Sequence, residues 1–243
     1  KFNVGVNASQ VKNEVLDLAG SEFILGSAAY RGKDNPIRTV VGQPISTFYG
    51  YQVEGIFQTQ EEVDNHASQE TNTGPGDIKY KDMNGRDEEG NLTGEPDGVI
   101  DDADRTFIGN GFPEFSYGFT FNAEYKNIDF QLFLQGVSGV EIYNALNMDI
   151  MHGGSRTNKH ANILDRWTGE GTSDEIPRVH YRDPNDNDRI SDYFIESGDY
   201  LRIKNIQVGY TLPTSIMGSN GISSLRLYFS VQNPITFTDY SGA

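Results

Sequence analysis

The 243-residue sequence contains no cysteine, which excludes disulfides, thiolate metal sites and cysteine nucleophiles together. It has no run of about 18 apolar residues, and no basic-then-apolar leader follows Lys1. Neither a helical membrane protein nor an unprocessed precursor is therefore expected. A transmembrane β-barrel is not excluded, because its alternating strands do not form apolar runs.

Positive charge is also scarce in this chain. The 19 Lys and Arg residues are outnumbered by 35 Asp and Glu residues, so the formal net charge is −16. This balance excludes a nucleic-acid-binding protein that relies on excess positive charge, and we expect no nucleic-acid partner.

The signatures of common enzymes are missing as well. The four histidines do not show the His-Glu-x-x-His spacing of a zinc hydrolase; they are His66, His152, His160 and His180. The sequence has neither a Gly-x-Ser-x-Gly nucleophile elbow nor a phosphate-binding Gly-rich loop that ends in Lys-Ser/Thr. We therefore expect a protein that is not an enzyme.

Aromatic residues and turn residues are abundant. The chain contains 14 Phe, 13 Tyr and 27 Gly, and short aromatic runs are separated by segments rich in Gly, Asn and Asp. Four segments alternate apolar and polar residues with the period of a strand that has one apolar face: residues 115–125, 128–135, 205–212 and 225–232. Lys126 and Asn127 fit a tight turn between the first two. The pattern predicts an all-β fold built from hairpins.

The length of these strands suggests two architectures. A tilted transmembrane strand needs about 9–11 residues, whereas strands of soluble proteins cluster near about 5–6. The predicted strands are long, as a barrel requires, but a soluble β-sandwich also alternates buried and exposed residues. Periodicity alone leaves both architectures open.

Two stretches between the strands, residues 59–110 and 140–192, are too long for ordinary connections. The first begins with a short helix that Thr59 would cap. The second contains two short helical segments, 141–151 and 159–167. Because long loops often carry function, we expect the functional residues of the chain to lie in these stretches.

The sharpest local motif is acidic. Residues 97–104 read Asp-Gly-Val-Ile-Asp-Asp-Ala-Asp, which is the second half of a calcium loop of the Asp-x-Asn-x-Asp-Gly type. Residues 82–85 supply the first half, and the segment 86–96 interrupts the two halves. Calcium binds about six to eight oxygen ligands. The loop is either a Ca²⁺ site or a solvated acidic turn. If it binds Ca²⁺, the predicted ligands are the side chains of Asp82, Asn84, Asp97, Asp101 and Asp104 and the carbonyl oxygen of Val99.

The acidic motif belongs to a longer ordered set of residues. Residues 76–85 and 97–110 closely resemble the signature of SusC/RagA-like TonB-dependent transporters of Bacteroidetes outer membranes. Further blocks resemble that family's C-terminal barrel region in the same order: Gly42-Gln43-Pro44-Ile45, Phe48-Tyr49-Gly50-Tyr51, Pro113-Glu114-Phe115, Asp165-Arg166-Trp167, Ile176-Pro177-Arg178, Gly198-Asp199-Tyr200-Leu201-Arg202 and Gly209-Tyr210-Thr211-Leu212-Pro213. The likeness covers nearly the whole chain, although the common form of the family lacks the insertion at 86–96.

The resemblance implies that residues 1–243 are the C-terminal portion of a large antiparallel transmembrane β-barrel in the cell outer membrane. It implies import of oligosaccharides or peptides, which a SusD-like surface lipoprotein helps to capture. TonB would act through parts absent from this chain. Residues 59–110 and 140–192 would be long extracellular loops.

If the strands span the membrane, one face contacts outer-membrane lipid and the other lines the lumen. The residues expected to face lipid are Phe115, Phe119, Phe121, Ile128, Phe130, Leu132 and Leu134. Those expected to face the lumen are Thr120, Asn122, Glu124, Gln131 and Gln135. A charge on the lipid face would cost about 2–4 kcal/mol at the bilayer midplane.

The alternative is a secreted, soluble β-sandwich that acts as a calcium-stabilised glycan-binding module. Its strands would pack face to face and bury the residues that a barrel presents to lipid. The two hypotheses therefore differ in whether Phe119, Phe130 and Leu132 lie inside a two-layer protein core.

Overall fold

The computed structural model describes residues 1–26, 35–151, 153–154, 158–217 and 223–242, so His152 lies outside the described residues. The chain divides into two compact units. The first, here called the sheet unit, comprises Lys1–Lys12, Phe112–Ile142 and Glu196–Ala243. The second, the loop unit, comprises Asn13–Gly111 and Tyr143–Ile195.

Thirteen strands lie among the described residues. They are β1 (Phe2–Gln10), β2 (Ile24–Leu25), β3 (Ile37–Thr39), β4 (Thr47–Gly50), β5 (Val53–Ile56), β6 (Ile78–Tyr80), β7 (Thr106–Asn110), β8 (Phe115–Tyr125), β9 (Ile128–Ser138), β10 (Glu141–Tyr143), β11 (Ile195–Ser197), β12 (Tyr200–Thr211) and β13 (Arg226–Thr238). The α-helices α1 (Gln60–Asp64), α2 (Ala145–Met151) and α3 (Thr214–Met217) are short, as are 3₁₀ helices at Asp102–Asp104, Ala161–Asp165 and Asp192–Phe194. This content confirms the all-β prediction. Among the described residues, no helix has the length and apolar character needed to cross a membrane.

The sheet unit is one antiparallel sheet of five long strands in the order β1-β8-β9-β12-β13. The predicted hairpin is confirmed: Tyr125 of β8 pairs with Ile128 of β9, and Lys126 adopts a positive φ of 54° in the turn between them. At the other end of these strands, Phe115 pairs with both Gln10 and Ser138. The chain therefore leaves β1 and β9 at the strand ends opposite the Lys126 turn.

The pairing register collects apolar side chains on one face of this sheet. Three adjacent rows across the five strands are Val6, Phe119, Leu134, Ile203 and Ile235; Val4, Phe121, Leu132, Ile206 and Val231; and Phe2, Ala123, Phe130, Val208 and Phe229. A row on the opposite face contains Asn3, Asn122, Gln131, Gln207 and Ser230. The residues predicted to face lipid thus all lie on the apolar face of the sheet, and those predicted to face the lumen all lie on the opposite face.

No protein core formed by the part of the chain that the structure describes covers the apolar face of the sheet. Among the described residues, the buried hydrophobic side chains all belong to the loop unit: Phe48, Ile56, Phe57, Ile78, Tyr80, Ile100, Ala103, Met148, Ile190 and Phe194. On the sheet, Val6 is 74% exposed and Phe229 is 71% exposed. A two-layer sandwich would bury such residues, so the sheet has the character expected of a barrel wall.

The height of the apolar face fits a bilayer. Along β8 it extends from Phe115 to Tyr125, which is about 33 Å at a rise of about 3.3 Å per residue. With the roughly 45° tilt of a transmembrane strand, the face is about 23 Å high, close to the ~25 Å apolar band of outer-membrane barrels. Tyr125, which is 71% exposed, stands at one edge of the face, where such barrels carry a girdle of aromatic residues.

An ion pair ties together two strands of the sheet that are not neighbours. Arg226 on β13 donates from Nε and Nη2 to the carboxylate of Asp129 on β9, at 2.9 and 2.6 Å. The pair crosses Gly209 on the intervening β12, where a Cβ atom would collide with the Asp129 carboxylate. Glycine at this position therefore permits the bidentate contact.

The loop unit contains a four-stranded sheet in the order β2-β3-β4-β7 and a β5-β6 pair. Ile78 and Tyr80 of β6 are both 0% exposed and pack with Ile100. Thr59 caps α1 as predicted, because its hydroxyl accepts a hydrogen bond from the Glu62 amide at 3.2 Å. Residues 13–58 also belong to this unit, so the first excursion from the sheet is longer than the predicted segment 59–110.

The two helices predicted in the second excursion are only partly present. The first was predicted over 141–151, but Glu141–Tyr143 is strand β10, paired with β11, and α2 begins at Ala145. The prediction was wrong there because the partner strand lies far along the chain. The second was predicted over 159–167 and is a 3₁₀ helix at Ala161–Asp165, which His160 caps.

The asymmetry of the sheet predicts unequal effects of a charge on its two faces. Leu132→Arg places a cation on the apolar face, so we expect it to destabilise the full-length protein in lipid vesicles by about 2–4 kcal/mol. Gln131→Arg is the matched control on the polar face of the same strand, and we expect a much smaller loss. Urea unfolding followed by heat-modifiable gel migration measures both. Equal losses would contradict the assignment of the faces.

Candidate functional site

The two halves of the predicted calcium loop meet in the structure. The Asp82 carboxylate accepts hydrogen bonds from the backbone amides of Asp97 and Gly98, at 3.3 and 2.7 Å. One carboxylate oxygen of Asp104 accepts from the amides of Met83 and Asn84, at 2.7 and 3.0 Å. The interruption at 86–96 therefore does not separate the residues that flank it.

The inserted segment forms a small exposed hairpin of its own. Arg86 and Leu92 form an antiparallel bridge, and the Thr93 amide donates to the Gly85 carbonyl at 3.0 Å. A Cβ atom at Gly85 would lie 2.6 Å from Cβ of Asp97, so the chain leaves and re-enters the loop at nearly the same point. This close approach explains how the loop tolerates the insertion.

The remaining predicted ligands serve the loop's own backbone. Asp97 accepts from the amide of Val99 at 3.0 Å, and Asp101 accepts from the amide of Ala103 at 2.7 Å. Within the described ranges, the carboxylates of this loop do not supply three ligand atoms that lie within 4.8 Å of one another. The structure thus brings the six residues into one loop, and calcium binding there stays a prediction.

Another acidic group lies at Asp183, Asp186 and Asp188, whose carboxylate oxygens are within 4.8 Å of one another. Asp183 and Asp186 have positive φ values of 42° and 57°, so the backbone curls to bring these side chains together. Burial and the nearby Asp188 carboxylate raise the pKa of Asp183 to about 7, although the Asn187 amide counteracts part of this rise. Sequence reasoning assigned no role to this run, since alternating Asp and Asn residues are also common in solvated turns.

Two asparagines fix the acidic run to the core of the loop unit. The Asn185 side-chain amide donates to the Ile78 carbonyl at 3.0 Å, and the Asn187 side-chain oxygen accepts from the Ile78 amide at 2.7 Å. Asn185 is 0% exposed and Asn187 is 6% exposed. The acidic run therefore holds β6 in place through hydrogen bonds, and the buried side chains of both asparagines have hydrogen-bond partners.

A buried ion pair completes this network. Arg178 donates to both oxygens of Asp77, at 2.8 and 2.7 Å, and the Asp77 side chain is 0% exposed. Asp77 also accepts from the Gly74 amide at 2.9 Å and from the Asn187 side chain at 3.1 Å. This set of bonds joins residues about a hundred positions apart, and so fixes the two excursions to each other within the loop unit.

A wall segment of long amphipathic strands, joined to a polar loop region, is the architecture of an outer-membrane β-barrel. No family model matches the chain. The chain is 32% identical to TonB-dependent receptor P3 of Formosa agariphila over 100% of the chain and 23% of that protein. It is 25% identical to TonB-dependent receptor SusC of Bacteroides thetaiotaomicron over 99% of the chain and 22% of that protein.

Solved structures share the fold. A structure of the RagAB peptide transporter matches with a TM-score of 0.71 at 20% identity, over 98% of this chain and 23% of that one. The 'open-open' state of the RagAB peptide importer matches with a TM-score of 0.68 at 20% identity, over 98% of this chain and 23% of that one.

The chain belongs to the SusC/RagA-like TonB-dependent transporters, which are outer-membrane proteins and not enzymes. It spans 23% of the length of the P3 receptor, so it corresponds to part of such a protein. The soluble β-sandwich alternative is wrong, because the sheet shares the fold of the RagAB structures and no second layer formed by the described residues packs against its apolar face.

The ion pair predicts how the loop unit responds to mutation. Arg178→Met leaves the buried Asp77 carboxylate without its cation, which costs about 3–5 kcal/mol for a buried pair. We therefore expect faster amide hydrogen exchange at residues 72–80 and 178–190 of the full-length protein. The double variant with Asp77→Asn should recover part of the protection, since it removes the unpaired charge.

The control for this change is Arg182→Met, which removes an exposed arginine from the same excursion and should leave exchange unchanged. Exchange that is equally fast in both variants would show that the pair does not hold the two excursions together.

Proposed function

We propose that the full-length protein imports nutrients across the outer membrane in a TonB-dependent manner. The observation that carries the proposal is the alignment of the entire chain with TonB-dependent receptors. The sheet supports it physically, because one face suits lipid and the other presents Asn, Gln and Thr side chains to a watery lumen. The chain's part in this work is to bind and guide the substrate, and no bond is made or broken.

The substrate that we propose is an oligosaccharide or a peptide captured with a SusD-like lipoprotein. RagAB, which shares the fold, is a peptide transporter, and this supports the peptide class by analogy. In this proposal residues 59–110 and 140–192 are extracellular loops, because the chain leaves β1 and β9 at the strand ends opposite the short Lys126 turn, and such turns face the periplasm in bacterial barrels. TonB would act through parts of the protein outside this chain.

An uptake assay tests the proposal. Cells with and without the full-length gene are given fluorescent oligosaccharides in one arm and fluorescent oligopeptides in the other. We expect one class to enter only when the gene is present and the proton-motive force is intact. Co-purification of a SusD-like lipoprotein with the tagged protein tests the partner. Uptake that is indifferent to both the gene and the proton-motive force would contradict TonB-dependent import.

We also propose that the loop at 82–104 binds Ca²⁺ through Asp82, Asn84, Asp97, Val99, Asp101 and Asp104. Support comes from the Asp82 carboxylate, which accepts hydrogen bonds from the backbone amides of Asp97 and Gly98. These bonds hold the two halves of the loop next to each other in one arc. This arc contains the oxygen-rich ligand set that calcium prefers. The ion would then fix the loop in which the insertion lies.

Calcium removal tests this assignment. In the full-length protein, Ca²⁺ at 100 times its Kd should slow amide exchange at 82–104 by up to about 100-fold, as mass action requires, and EDTA should reverse the change. Asp97→Asn keeps an acceptor for the Val99 amide but removes a charge, so it should abolish the response. Asp87→Asn, in the exposed insertion, is the matched control and should retain it. Exchange that is insensitive to Ca²⁺ would refute the site.

A further inference from the structure

The four-stranded sheet of the loop unit holds an arginine between two aromatic rings. The guanidinium carbon of Arg38, on β3, lies 3.8 Å from the ring centre of Tyr49 and 4.3 Å from that of Phe23. Tyr49 is itself held by Phe107, which meets it edge-on with ring centres 5.3 Å apart. The position of the Arg38 head group is therefore fixed by three rings.

Arg38 differs from the arginines of the chain that form close ion pairs. Arg178, Arg189 and Arg226 each contact a carboxylate at 2.6–2.7 Å. Across the described ranges, no ion pair forms at Arg38, and its Nε atom is enclosed without a hydrogen-bond acceptor. Arg38 is thus a ring-stacked cation that forms no ion pair with the described residues of this acidic chain.

The geometry leaves one edge of this cation available. The two rings cover faces of the guanidinium, and stacking does not consume its in-plane N–H donors. Since Nε is enclosed, the remaining donors are those of Nη1 and Nη2, on a residue that keeps part of its surface exposed. Two parallel N–H groups in one plane match the two oxygens of a carboxylate.

Arg38 is the nearer of two arginines to the Tyr49 ring, and the other is already paired with a carboxylate. The guanidinium carbon of Arg105 lies 5.4 Å from the same Tyr49 ring, and Asp102 lies 3.6 Å from Nη1 of Arg105. In a chain with a net charge of −16, most of the surface repels anions, so a focused positive site would select where an anionic group docks.

We propose that Arg38, stacked between Phe23 and Tyr49, binds a carboxylate group of the imported substrate. The inference rests on the proposed import function, because it assigns the carboxylate to the cargo. A free peptide C-terminus and a uronic acid both present this planar, singly charged group. The experiment separates these two sources.

The test uses two matched pairs of probes with the full-length protein in detergent. One pair is an N-acetylated tetrapeptide with a free C-terminus and the same peptide as its C-terminal amide. The other is trigalacturonate and its methyl ester. We expect the carboxylate member of one pair to bind at least about 10-fold more tightly than its neutral counterpart, and that pair identifies the source.

Variants connect this preference to the residue. Arg38→Met should abolish the preference, and Arg38→Lys should retain only part of it, since an ammonium lacks the planar fork. Arg86→Met, which removes the same charge from the exposed insertion, should retain all of it. Without probe, Arg38→Met should change amide exchange of β3 and β4 little, because the methionine side chain still packs against both rings and no ion pair with a described residue is lost.

Three results would overturn the inference: no preference in either pair, a preference that survives Arg38→Met, or faster exchange of β3 and β4 in Arg38→Met without probe. The last result would show that Arg38 is satisfied within the chain. If energised uptake persists while any of these is observed, the carboxylate site falls and the import function stands.

Discussion

The structure depends on one constraint: the apolar face of the five-stranded sheet must be kept from water by something other than a protein core. Val6 and Phe229 are largely exposed on this face, and the buried hydrophobic residues that the structure describes all lie in the loop unit. In water such a face would drive aggregation. In a bilayer this face contacts the hydrocarbon of the lipids, and the hydrogen bonds between paired strands satisfy the polar groups of the backbone.

The loop unit is held together differently. Its hydrophobic core is small, and bonds between buried polar side chains and backbone connect the two excursions that build it. The Asp77–Arg178 pair and the two asparagines that bracket Ile78 are the main links. Because these bonds are directional, they hold an otherwise irregular chain in one arrangement.

Local patterns in the sequence predict much of this fold, and long-range contacts account for what they miss. The hairpin around Lys126 and the two faces of β8 and β9 follow from a period of two and a turn signal. The strand at Glu141–Tyr143 is not predictable locally, since its partner begins at Ile195. The inward orientation of Asn185 likewise depends on Ile78, which is distant in sequence. The ring-stacked position of Arg38 depends on how β3 pairs with β4, and composition gives no signal for that pairing.

The most direct test of the central claim places nitroxide spin labels at residues 132 and 131 of the full-length protein in lipid bilayers. Oxygen concentrates in hydrocarbon and a nickel chelate stays in water, so their collision rates with each label report its surroundings. The account predicts that oxygen dominates at 132 and the nickel chelate at 131. A label at 132 that is shielded from both, as in a protein core, would contradict it.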